Sequence, residues 1–139
     1  MINIVLKTNE DWLVEDRDNK NLIPAWVYLK NGDECYPDDE WIDNPVIVLG
    51  WWLHSLKDLL SGGEGQGLSF MEGPYALDVK LSGDEFTLYS EDGKVNWVVD
   101  KSELVNQLTT VANGMARTLY DIGLTELSYN LNVGVKELK

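Results

Sequence analysis

Residues 75–123, YALDVKLSGDEFTLYSEDGKVNWVVDKSELVNQLTTVANGMARTLYDIG, hold both kinds of regular element and the signals that divide them. Apolar and polar side chains alternate over residues 75–81 and 85–90, and residues 94–99 follow in the same style. Period two is the pattern of a strand with one buried face. Ser82-Gly83-Asp84 and Glu91-Asp92-Gly93 separate these segments, and glycine beside aspartate between alternating runs marks a hairpin. An antiparallel meander is therefore predicted. At Asp100 the period changes. Asp100 with Glu103 three residues on makes a capping box, and Leu104, Leu108, Val111, Ala112, Met115, Leu119 and Ile122 then recur at helical spacing up to Gly123.

Residues 68–72 add another strand-type segment ahead of Gly73-Pro74. Beyond Gly123, Leu124, Leu127, Leu131, Val135 and Leu138 suit a short amphipathic helix, against which Gly134 counts. Towards the amino terminus, Asn44 before Pro45 fits a helix start, because the Asn side chain caps free amides and proline is tolerated at the first helical position. From there Val46, Leu49, Trp52, Leu53, Leu56, Leu59 and Leu60 form an apolar stripe, widened by Ile47, Val48 and Trp51, up to a stop at Gly62. A rival reading makes residues 45–49 a strand and starts the helix near Trp51. Ile2, Ile4 and Leu6 predict a strand over residues 2–7, followed by a short apolar stretch at 12–14 and a polar turn at 16–21. Residues 24–30 read as a strand ending in the hairpin signal Asn31-Gly32. The expected architecture is α+β in one domain, residues 1–139, with an antiparallel sheet and two or three helices packed mainly on one face.

The 139 residues carry 11 basic and 24 acidic side chains, a net charge of −13. This disfavours nucleic acid and anionic membrane surfaces as partners, since both are held by neutralising phosphate with Lys and Arg. It favours a basic protein surface, which such a field attracts at long range. No apolar run approaches the roughly 18 residues of a membrane span, and the amino terminus lacks the basic region and cleavage site of a signal peptide. A lone cysteine, Cys35, suits a reducing compartment, so a cytoplasmic location is expected. The charge is uneven. Residues 1–50 and 51–100 are each strongly acidic, while residues 101–139 hold as many bases as acids. Residues 33–43, DECYPDDEWID, contain six acids and no base.

No catalytic or cofactor site emerges. His54 stands alone on an apolar helix, without the second ligand or nucleophile that a metal site or triad needs. The acids around Cys35 raise the cost of forming a thiolate. The run Gly62-Gly63-Glu64-Gly65-Gln66-Gly67 lacks the Lys-Ser/Thr ending of a phosphate loop and precedes a strand, so it reads as a flexible connector. Asp16, Asp18 and Lys20 fail the ligand spacing of a calcium loop. Asp38, Asp39, Glu40 and Asp43 offer at most a weak divalent-ion site. Neither an enzyme nor a bound metal or cofactor is expected.

Of the six tryptophans, Trp52 shares the helix stripe, and Trp26 and Trp97 lie in strand patterns, so these three read as core. Trp41 differs, because it sits with Tyr36 inside the acidic segment. Two readings stay open: the two rings anchor a partner within a ring of charge, or they pin the loop to the core.

The acidic segment at 33–43, the tryptophan-rich helix around Trp51-Trp52-Leu53-His54 and the strand-turn Phe70-Met71-Glu72-Gly73-Pro74-Tyr75 together resemble the small acidic immunity proteins of bacterial polymorphic toxin systems. The resemblance implies an inhibitor that covers the basic site of a toxin domain, often a nuclease. The expected contact surface is Glu34, Tyr36, Asp38, Asp39, Glu40, Trp41 and Asp43. A module that binds a small ligand or carbohydrate through exposed tryptophans is the alternative.

Overall fold

The computed structural model describes residues 1–16 and 23–138. The polar turn expected at 16–21 lies, beyond residue 16, outside them. The chain is α+β, and the strands among the described residues divide into two antiparallel sheets. In the first, β1 (Ile2–Lys7) pairs with β2 (Ala25–Asn31), which pairs in turn with β3 (Glu34–Tyr36) and, nearer its start, with β4 (Ile42–Asp43). The second is the expected meander, β5 (Leu68–Ser69), β6 (Ala76–Ser82), β7 (Glu85–Tyr89) and β8 (Asn96–Asp100), in that order. Asn31-Gly32 does close a hairpin, with Gly32 at φ 63° in the left-handed region that glycine accepts without strain.

The described residues also form four helices: α1 (Glu10–Asp16), α2 (Pro45–Leu60), α3 (Lys101–Asp121) and α4 (Thr125–Leu138). The short apolar stretch at 12–14 thus belongs to a helix. Its cap is Asn9, whose side-chain oxygen accepts the amides of Asp11 and Trp12 at 2.9 and 3.3 Å. Asn44 caps α2 by accepting the Ile47 amide, and helix begins at Pro45, which excludes a strand over residues 45–49. Asp100 caps α3 by accepting the Glu103 amide at 3.1 Å.

Helix α3 lies against β1 and β8, α2 lies against β5 and β6, and α4 packs on α2 and α3. One hydrophobic cluster fills the space between. It joins Ile2, Ile4, Val27 and Leu29 of the first sheet to Leu77, Phe86, Leu88 and Trp97 of the second through Trp52, Leu56, Leu108 and Met115. Gly134 is explained by this packing, since a Cβ there would meet Leu53 Cδ1 at 3.1 Å; glycine lets α4 approach α2. Ser128 adds a buried link by donating to the Ala116 carbonyl at 2.6 Å. No helix among the described residues is long and apolar enough to cross a membrane.

Candidate functional site

The acidic segment runs along the seam between the two sheets. Three of its side chains reach across by hydrogen bonds. Glu34 on β3 accepts the indole N–H of Trp97 on β8 at 2.7 Å. The Tyr36 hydroxyl donates to the Ala76 carbonyl at 3.1 Å and accepts the Ala76 amide at 3.0 Å, serving both backbone groups of the first residue of β6. Asp43 Oδ2 accepts the Trp41 indole N–H at 2.9 Å and the amides of Met71 and Glu72 at 3.1 Å each, while its Oδ1 takes the Asn44 amide at 2.7 Å.

Asp43 is only 2% exposed. A buried carboxylate with four donors is a structural group, so Asp43 offers no surface to a partner. Tyr36 and Trp41 are half-buried and face inward. The Trp41 ring meets Tyr75 edge-on at 5.0 Å and Phe70 at 6.2 Å, and Tyr36 meets the same two residues at 6.0 Å each. These contacts favour the reading in which both rings pin the segment to the core. What they hold out is Asp38, Asp39 and Glu40, all exposed. Asp38 Oδ1 accepts the Glu40 amide at 2.8 Å, which stiffens the tip of the loop.

Beside this loop lie two adjoining cavities of about 410 and 390 Å³ that share Tyr36, Tyr75 and Asp92. Asp78 and Glu91 line the first; Glu34, Pro37, Lys94 and Trp97 line the second. Asp92 Oδ1 accepts the Ser90 hydroxyl at 2.7 Å and the Lys94 amide at 3.0 Å. The Ser90 bond, then the Lys94 amide, holds the Asp92 carboxyl below the usual carboxylate range, so it is ionised at neutral pH. Burial pushes the Tyr36 phenol above its ordinary value of 10, opposed by the bond to Ala76 and reinforced by the nearby Asp92 charge. The phenol stays protonated and keeps its donor. Residues of this groove outside 33–43 had local signals only as turn and strand positions: Asp78 alternates outward on β6, and Glu91 and Asp92 belong to a hairpin.

The remaining aromatic residues divide differently from the expectation. Trp52 and Trp97 are core, at 0% and 4% exposure. Trp26 is not, because it points to the opposite face of β2 from Val27 and packs against Trp12, the rings tilted by 37° with centres 4.8 Å apart. Trp51 is 47% exposed and lines a cavity of about 380 Å³ with His54, Gln66, Gly67 and Ser69. The glycine run at 62–67 is a tethered connector. The Gly63 amide donates to the Asp58 carbonyl, the Gly65 amide to Asp58 Oδ2 and the Gln66 amide to Ser55 Oγ, at 2.8, 2.8 and 3.0 Å. A carboxylate thus occupies the amide that a phosphate would need. Among the described residues no three His, Cys, Asp or Glu side chains are grouped so that they could hold a metal ion.

The chain matches no family model, and no curated protein or solved structure is significantly similar to it.

Proposed function

We propose that this chain is an immunity-type inhibitor: it binds a basic toxin domain, with a nuclease the leading candidate, and covers its active surface without performing chemistry of its own. One observation carries the reading. Asp38, Asp39 and Glu40 form a run of three exposed carboxylates on a loop pinned at both ends by Tyr36, Trp41 and Asp43. None of the three is ion-paired among the described residues. A fixed, unneutralised acidic projection attracts a basic surface at long range and costs little ordering entropy on docking. The net charge of −13 adds to the same field.

The test uses the protein encoded beside this chain, which the reading requires to be a larger toxin. Its toxin domain is expected to associate rapidly at low salt and slowly at high salt. Replacing Asp38, Asp39 and Glu40 together by Asn, Asn and Gln is expected to slow association at least tenfold at low salt. An unchanged rate, or a parent rate indifferent to salt, overturns the reading.

The cavity at Trp51 favours a second reading, a small-ligand or carbohydrate site, since an exposed indole beside His54 and Gln66 combines a stacking face with polar groups. Saturable quenching of tryptophan fluorescence by simple sugars, abolished in Trp51→Ala, would support it over the first.

A further inference from the structure

The two cavities beside the acidic loop form a groove with a definite chemistry. Among the described residues four carboxylates line it, those of Glu34, Asp78, Glu91 and Asp92, against the single ammonium of Lys94. Three aromatic rings stand among them, and each makes a directed contact with the protein. Tyr36 is held by its two bonds to Ala76, Tyr75 by its edge-on contact with Trp41, and Trp97 by its bond to Glu34. Among the described residues the Ser90 hydroxyl and the Lys94 amide both bond to Asp92 Oδ1, which leaves Oδ2 for a ligand. Both volumes lie within the range of about 300–1,000 Å³ that ligand sites occupy.

The geometry points to an arginine side chain of the basic partner as the occupant, its guanidinium against the ring of Tyr36 or Tyr75 and hydrogen-bonded to Asp92. The inference rests on the reading of the partner as a basic protein and deepens it. Acidic lining excludes an anion, and the carboxylates are not grouped to hold a metal ion. A guanidinium is planar, weakly hydrated and able to stack on a ring while donating in its own plane to a carboxylate; an ammonium is compact and strongly hydrated and does only the second well. The groove also borders the acidic loop, since Pro37 lines it and Asp38 follows directly. The loop would attract the partner and the groove would seat its anchor, the usual division between a charged rim and a desolvated centre.

The experiment is an amide and indole NMR titration of the full chain with three capped pentapeptides, Gly-Ser-Xaa-Ser-Gly, in which Xaa is arginine, lysine or citrulline. The arginine peptide is expected to cause saturable shifts at Tyr75, Ala76, Asp92, Lys94 and the Trp97 indole. The lysine peptide should bind severalfold more weakly, and the uncharged citrulline peptide should cause no saturable shift. The surface variant Glu91→Gln with Asp92→Asn should weaken the arginine peptide at least fivefold. Citrulline binding as well as arginine, shifts confined to residues 38–40, or no response to any peptide would each overturn the groove. The acidic-loop reading would be untouched by those outcomes, because it stands on the salt dependence of partner association.

Discussion

Trp41 donates its indole N–H to Asp43, two residues along the chain, at 2.9 Å, and the same carboxylate oxygen receives the amides of Met71 and Glu72 from the far side of the seam. One buried side chain thus joins the acidic loop to the turn before β6. Its removal leaves four donors without this partner, the buried Asn44 amide and three part-buried groups, at about 1–3 kcal/mol for a buried one. Asp43→Ala is expected to lose about 3–5 kcal/mol of stability in urea unfolding. Asp43→Asn should fare little better if its amide nitrogen faces those donors. A loss under 1 kcal/mol for the alanine variant would remove Asp43 from this role.

Asp38, Asp39 and Glu40 should behave in the opposite way. They are exposed and make no ion pair among the described residues, so the folded state loses little with them and gains by reduced self-repulsion. The Asn, Asn, Gln triple variant is expected to unfold within about 0.5 kcal/mol of the parent. Equal stability alongside slowed partner association would separate a binding loop from a structural one. A large loss of stability would show that the loop is held by these charges.

Tyr36 carries a pH signature. Its folded-state ionisation lies above the ordinary value of 10, so the folded chain holds the phenolic proton more tightly than the unfolded chain. Stability from this group is therefore complete below pH 10, and it is lost as pH rises through that value toward the folded one. Tyr36→Phe removes both bonds to Ala76 and should cost about 1–2 kcal/mol at neutral pH. Alkaline unfolding curves of parent and variant should then converge above pH 10. Parallel curves across that range would exclude the linkage.

Much of this was legible along the chain, where the signals are local. Asn44-Pro45, Asp100 with Glu103 and the Gly-Asp and Asp-Gly turns each act within four residues, and the structure has the helices and hairpins they announce. Asn9, with Glu10 and Asp11 in the first turn, was a signal of the same kind for α1 that the apolar stretch at 12–14 obscured. The division into two sheets was not legible, because which segments pair is decided between residues far apart in sequence, and β4, only two residues long, carries no local signal for its pairing with β2. Neither was the fate of Asp43. By type it matches the other five acids of its segment, and its burial comes from amides 28 and 29 residues later. Tyr36 and Trp41 stand out as aromatic residues in an acidic segment, but residue type alone does not say whether they face in or out.

Gly73 offers a test of how the turn before β6 shapes the groove. Its φ of 116° is one that side-chain-bearing residues rarely adopt, and a Cβ there would meet Trp41 Cη2 at 3.1 Å and Tyr75 Cδ2 at 3.3 Å. Gly83, in the hairpin between β6 and β7, also has positive φ, at 59°, but a Cβ there meets nothing within 4 Å. Gly73→Ala and Gly83→Ala should therefore both lose stability, by about 1–3 kcal/mol from backbone strain. Only Gly73→Ala should also disturb the edge-on pair of Trp41 and Tyr75, seen as a shift in tryptophan emission and in the Trp41 indole resonance. Because Tyr75 is a wall of the groove, the same variant should weaken the arginine peptide at least threefold while Gly83→Ala leaves it unchanged. Equal effects of the two substitutions on peptide affinity would mean that Tyr75 does not need its present position for the groove to bind.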